Sequence, residues 1–279
     1  MVAVALGLAA GISWGVADFL GGLKSRQLNV VAVLVISQAA GALLVGLIVA
    51  ARGQGPPELH FLLYGVLGGV AGLVGLAAFY RGMAVGAMAV VAPISATGAA
   101  IPVAVGLSTG DRPSAIQVVG LVLAMVGVVL ASREGGEGAG GARLAAGTGL
   151  ALVAALGFGA FFVGLDAASD GDVLWALLAA RSFDVILLCA LAVTLGRGAR
   201  MSARDLRDVV AVGLLDVLAN ALFALASTRG LVSLVAVLAS LYPVVTIFLA
   251  RLVLKERIRA SQGAGVALAL VGVAAIASG

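Results

Sequence analysis

Clustered reactive chemistry is scarce in this 279-residue chain. Its one cysteine, Cys189, leaves no disulfide framework and no paired thiolate site, and inside an apolar run it reads as a small packed residue. Its one histidine, His60, rules out a His-based metal cluster or a Ser-His-Asp triad. Charged residues make up only 11% of the sequence, against about 25% in a soluble globular chain. No stretch remains for a soluble domain, and no cofactor is expected.

Apolar residues and glycine are abundant, at 62% hydrophobic with forty glycines. Ten apolar segments fill the chain: Ala3–Gly22, Asn29–Ala51, Leu59–Tyr80, Gly82–Leu107, Ser114–Ser132, Ala146–Leu165, Val173–Leu195, Arg207–Ser227, Leu231–Leu254 and Ala260–Ser278. At ~1.5 Å rise per residue, roughly 20 residues cross the ~30 Å of hydrocarbon in a bilayer. The expected fold class is an all-α integral membrane protein of ten transmembrane helices. The first segment has no basic residue before it, and Lys24 and Arg26 follow it, so it reads as a retained helix. The longest polar stretch, Arg133–Arg143, is too rich in glycine to pack and reads as a tether. It divides the chain into 1–132, a linker over 133–145, and 146–279.

The placement of charge says more than the net +4. If the ten helices alternate, Lys24, Arg26, Arg81, Arg133, Arg143, Arg197, Arg200, Arg204, Arg207, Arg251, Lys255, Arg257 and Arg259 share one side. Arg52, Arg112 and Arg229 hold the other. Thirteen against three fits the positive-inside rule, with both termini outside the cytoplasm of a bacterial-type inner membrane. A basic cytoplasmic face accounts for the Arg197–Arg207 cluster without any nucleic acid.

The second half echoes the first. Gly11-Ile12-Ser13-Trp14-Gly15 corresponds to Ala155-Leu156-Gly157-Phe158-Gly159, and Asp111, Gln117, Gly120 and Gly127 correspond at constant offset to Glu256, Gln262, Gly265 and Gly272. Five helices per half is an odd number, so the second half enters the membrane in the opposite sense. Arg81-Gly82 on the basic side and Arg229-Gly230 on the other agree with that inversion. Inverted repeats around a central cavity suit a secondary transporter, in which two similar halves exchange inward and outward states about a midplane site.

Trp14-Gly15 in the first segment, the two Arg-Gly pairs, and Ser240-Leu241-Tyr242-Pro243 running to Glu256-Arg257 before a glycine-spaced last segment form a joint signature. On these residues the chain resembles, over essentially all its length, the drug/metabolite transporter superfamily in its ten-helix form with two EamA-type domains. The resemblance implies that segments 1–4 and 6–9 surround a central cavity while segments 5 and 10 pack at the periphery. It also implies a small organic substrate. The first half departs from the pattern, with Gly98 opposite Pro243 and Asp111 opposite Glu256. Pro93 and Pro102 flank that gap, so the fourth segment is expected to bend at different points from the ninth.

An uncompensated Arg or Asp near a helix centre costs roughly 2.5–3.5 kcal/mol on insertion scales, so polar groups at membrane depth face a cavity or each other. Arg181 and Asp184 lie three apart on one face, able to pair or to meet a ligand. Asp216 and Asn220 share a face, where their repeat counterparts are Gly68 and Gly72. Trp14 and Asp18 share another, opposite Phe158 and Phe162 in the repeat. Gln38 lies mid-segment, and Ser95 corresponds to Ser240, which precedes Tyr242. These residues and Tyr80 form the candidate substrate-binding set, with Trp14, Tyr80, Phe158 and Tyr242 expected to border one cavity.

Two function classes follow: a secondary transporter, favoured by the repeat, and an intramembrane enzyme or channel, disfavoured by the absence of a filter motif. An arginine, acids, amides and aromatics in an apolar cavity suit a small zwitterion such as an amino acid, and export of such metabolites resembles a known activity of the superfamily. Sugars, nucleosides and drugs remain open. Asp18 and Asp216 lack a basic neighbour in their own segments, which makes them the candidates for proton coupling; Asp184 would be held ionised by Arg181, and an uncoupled facilitator is the alternative. The expected partners are a small molecule and the lipid bilayer, with the chain working as a monomer.

Overall fold

The computed structural model describes residues 1–85, 88–131, 141–194, 201–254 and 260–278. Most of the linker, and Arg197, Arg200, Lys255, Glu256, Arg257 and Arg259, lie outside the described residues. The helices are α1 Val2–Ser25, α2 Val30–Arg52, α3 Leu59–Val85, α4 Met88–Ala96, α5 Ala100–Thr109, α6 Ala115–Ala131, α7 Gly141–Ser169, α8 Val173–Thr194, α9 Ala203–Ser227, α10 Val232–Ala239, α11 Tyr242–Leu254 and α12 Ala260–Ser278. Seven stretches are long and apolar enough to cross a membrane: α1, α2, α3, α8, α9, and residues Gly147–Ser169 and Val232–Leu249. Shorter apolar helices cover Ile94–Thr109, Ala115–Leu130 and Gly263–Ile276.

Local sequence sets the ends. Asn29 accepts from the Val31 amide and Ser202 from the Asp205 amide, each satisfying a free N–H in a first helical turn. Ser114 and Gln117 make a reciprocal capping box before α6. Gly53, at φ 62°, closes α2 in the left-handed conformation that glycine adopts without steric cost.

The expected fourth and ninth segments are each broken. A 3-10 turn at Thr97–Ala99 separates α4 from α5, and Ser240 and Leu241 separate α10 from α11. Pro102 and Pro243 follow the breaks, in the first turns of α5 and α11, where a missing N–H removes no helical bond. Arg81 lies within α3, which runs past the expected boundary at Tyr80, so Arg81-Gly82 does not open the next helix.

Packing directions follow from the contacts. Along α3 and α7, Gly68 meets Gly164, Gly72 meets Phe161 and Gly75 meets Phe158, so the two helices are antiparallel. Along α1 and α9, Ser13 meets Leu215, Trp14 meets Asp216 and Lys24 meets Asp205, again antiparallel. Gly21 against Tyr80 and Arg26 against Met83 set α1 parallel to α3, and α1 is therefore opposed to α7. The α6 and α12 pair joins through Gly120, Gly127 and Gly272, where backbones approach so closely that a Cβ on any of the three would fall 2.4–2.7 Å from backbone atoms of the partner helix.

Contacts also sort the helix ends. Lys24 pairs with Asp205 and Asp208 at 2.8 and 2.9 Å, while Arg52 pairs with Asp172 at 2.8 Å and Asp111 accepts from the Ser233 amide. The first group gathers the ends of α1 and α3 with the start of α9; the second gathers the turns after α2, α5, α7 and α9. The outer flanks are apolar, with Leu43, Leu47, Leu67, Leu156 and Ile186 exposed. Asp18, Gln38, Arg181, Asp184 and Asn220 are buried, the reverse of a water-soluble protein and the distribution a lipid solvent selects. Cys189 is exposed on α8 rather than packed in the interior.

Candidate substrate cavity

Six helices converge on one cavity with about 450 Å³ of empty space, counted to its open mouth. Trp14 and Asp18 enter from α1, Gly72 and Leu76 from α3, and Phe158, Phe161 and Phe162 from α7. Arg181 comes from α8, Asp216 and Asn220 from α9, and Tyr242 from α11. The bare backbone at Gly72 leaves room for the Phe161 ring, which an added Cβ would meet at 2.8 Å.

Arg181 is the electrostatic centre. It donates from Nη2 to Asp216 Oδ2 at 2.8 Å and from Nη1 to Asp184 Oδ2 at 3.4 Å and to Gln38 Oε1. The Trp14 indole donates to the other Asp216 oxygen at 3.1 Å. Asp216 thus ties α1, α8 and α9 together in a charge-assisted network. The Asn220 amide donates to the Asp216 backbone carbonyl at 2.6 Å, leaving Asn220 Oδ1 without a partner, as is Asp184 Oδ1. Asp18 lines the cavity at 5% exposure, and among the described residues no hydrogen-bond donor or cation is paired to it.

Aromatic rings form the walls. Phe162 stacks on Phe223 at 4.7 Å between centroids, with Trp14 5.5 Å from Phe162. Phe79 meets Phe158 and Tyr242 edge-on at 5.6 and 6.0 Å. The Tyr242 hydroxyl lies 2.6 Å from Ser95 Oγ and donates to the Ala92 carbonyl at 3.3 Å, joining the start of α11 to α4.

The family model for EamA-like transporters matches residues 1–133 and 145–278. The chain belongs to that family. It carries the unit twice, the two-domain form of the drug/metabolite transporter superfamily, and is a multi-pass membrane transporter. A crystal structure of another protein, 18% identical, superposes with a TM-score of 0.80 over 99% of this chain and 98% of that one, which shows a common fold. No curated protein matches the sequence.

In this transporter eight residues from the candidate set line the cavity together: Trp14, Asp18, Phe158, Phe162, Arg181, Asp216, Asn220 and Tyr242. Gln38 and Asp184 stand behind, binding Arg181. Ser95 anchors the Tyr242 hydroxyl without lining the space. Tyr80, 1% exposed, packs against Gly21 and is not among the lining residues. Ser240 lines a separate apolar pocket with Ala96, Thr97 and Leu241, its hydroxyl bonded to the Ala236 carbonyl. Asp216 does have a basic partner, supplied by α8, so the absence of one in its own helix misleads about its environment. Leu76 and Phe161 were missed; each continues a helical face already marked, by Gly72 four residues earlier and by Phe158 three residues earlier.

Proposed function

We propose that this transporter is a secondary carrier that moves small organic metabolites bearing an amine by alternating access between two inverted five-helix repeats. The repeats are 1–132 and 146–279, joined by the linker 133–145. The observation that carries this proposal is the shared cavity, built by α1 and α3 from one half and by α7, α8, α9 and α11 from the other. The opposed directions of α1 and α7 support the inversion. A site between halves is exposed to either side when the halves rock about it.

Amino acids and related zwitterions, exported, are the first subclass to test, with Asp18 facing the ammonium and the aromatic walls facing an apolar side chain. Asp18 is also the acid best placed to exchange a proton, because Asp216 is held by Arg181. Both termini face away from the cytoplasm, and the chain works as a monomer without a cofactor. Sugars, nucleosides and drugs are weaker candidates for a cavity that sets an unpaired Asp18 carboxylate beside aromatic rings.

Uptake into proteoliposomes distinguishes a carrier from a pore. Saturable uptake accelerated by substrate on the opposite side is expected, and a linear flux without counter-transport would refute alternating access. A reporter fused after Gly279 is expected outside the cytoplasm; an internal location would defeat the topology.

A further inference from the structure

The sequence suggests a zwitterion because it contains both an arginine and acids. The geometry separates them. Among the described residues Arg181 is the one basic residue lining the cavity, and three of its five N–H groups are taken, by Asp216, Asp184 and Gln38. A ligand carboxylate turned to the remaining N–H groups would share that guanidinium with Asp216 and Asp184, setting three negative charges against one positive where little water screens them.

Asp18 is in the opposite condition. It is nearly buried, opens onto the cavity and has no partner. Three acids, Asp18, Asp184 and Asp216, stand against one guanidinium, so with Asp18 ionised the site carries excess negative charge. Trp14, one helical turn before Asp18, and the rings of Phe158, Phe162 and Tyr242 present π faces and edges to the same space. Aromatic faces attract cations, and more strongly in a desolvated site.

We infer that the cavity reads a ligand's ammonium group at Asp18 and has no receptor for a carboxylate, so that its substrates are organic monoamines with an apolar or aromatic body rather than the parent amino acids. This rests on the carrier function proposed above, keeps its amine class, and replaces zwitterions, the first subclass named there, with monoamines. A zwitterion would bring an unmatched negative charge into an already negative pocket, whereas a monoamine neutralises Asp18 and rests its body on the rings.

Matched probes test this with the full-length chain: phenylethylamine, phenylalanine and 3-phenylpropionate, which share a ring and differ in charged groups. Thermal stabilisation in detergent and inhibition of proteoliposome counterflow both read binding. Phenylethylamine is expected to bind about tenfold or more tightly than phenylalanine, and 3-phenylpropionate not at all, since a site rejects a group that it leaves unpaired. Phenylalanine binding as well as phenylethylamine, or better, overturns the inference while leaving the carrier standing, and so does binding of 3-phenylpropionate. If none of the three binds or is transported, the amine-carrier proposal falls as well. Asp18→Asn is expected to lose at least tenfold in phenylethylamine affinity and Asp18→Glu to keep most of it; equal affinity in both overturns the role of Asp18. The three-probe comparison on the parent protein stands even if a variant fails to fold.

Discussion

Two seams join the halves, α3 against α7 and α1 against α9, and they are built in contrasting ways. Where α3 meets α7, Gly68, Gly72 and Gly75 let backbones touch, and an added methyl at Gly157 would sit 2.6 Å from the Ala71 carbonyl oxygen. Where α1 meets α9, the matching positions hold Trp14, Asp18, Asp216 and Asn220, and hydrogen bonds from Trp14 to Asp216 and from Ser13 to the Leu215 carbonyl cross the seam. The first seam gains attraction from close van der Waals contact, which suits helices in lipid. The second leaves space between its polar groups. Both seams open onto the cavity, the first through Gly72, Leu76 and three phenylalanines and the second through Trp14, Asp18, Asp216 and Asn220.

The largest break in this contrast is expected from Arg181→Met, which leaves the buried Asp184 and the half-buried Asp216 without a cation. A loss of about 3–5 kcal/mol is expected, read as failure to survive extraction or as a large drop in melting temperature. Adding Asp216→Asn should restore part of that stability, because the two changes act on one network. Next comes Gly157→Val in the glycine seam, expected to cost about 3 kcal/mol by overpacking. Thermal unfolding in detergent measures it, and a small shift would mean that the seam has more slack than its contacts imply.

Trp14→Phe keeps the ring and removes the indole donor to Asp216. A loss of about 1.5 kcal/mol is expected for a hydrogen bond to a charged group, visible in the melting curve and in a raised KM. Tyr242→Phe is the smallest change, about 1 kcal/mol. Because that hydroxyl joins α11 to α4, its removal should alter the transport rate more than ligand affinity, and single-turnover counterflow separates the two.

Much of the fold was legible beforehand because a bilayer constrains sequence strongly. Ten apolar runs had to be helices, since no other open structure satisfies backbone hydrogen bonds in hydrocarbon. The positions of Arg181, Asp184 and Asp216 at membrane depth marked the site for the same reason, since lipid does not solvate them. The breaks between α4 and α5 and between α10 and α11 were visible only as prolines near a mismatch between halves. Their exact places depend on how α1 and α7 press against them, through Gly11, Gly15 and Gly159.

The sequence by itself determined the membrane setting, the duplication and the small group of buried polar residues. These follow from counting apolar residues and charges against the fixed thickness and low polarity of a bilayer. Only the tertiary structure decided which acid takes the arginine. Arg181 and Asp184 are neighbours in the chain, yet the shorter ion pair crosses from α8 to α9, at 2.8 Å against 3.4 Å. Partner choice between buried charges is set by the distances that helix packing imposes, and those leave Asp18, rather than Asp216, unpaired at the cavity wall.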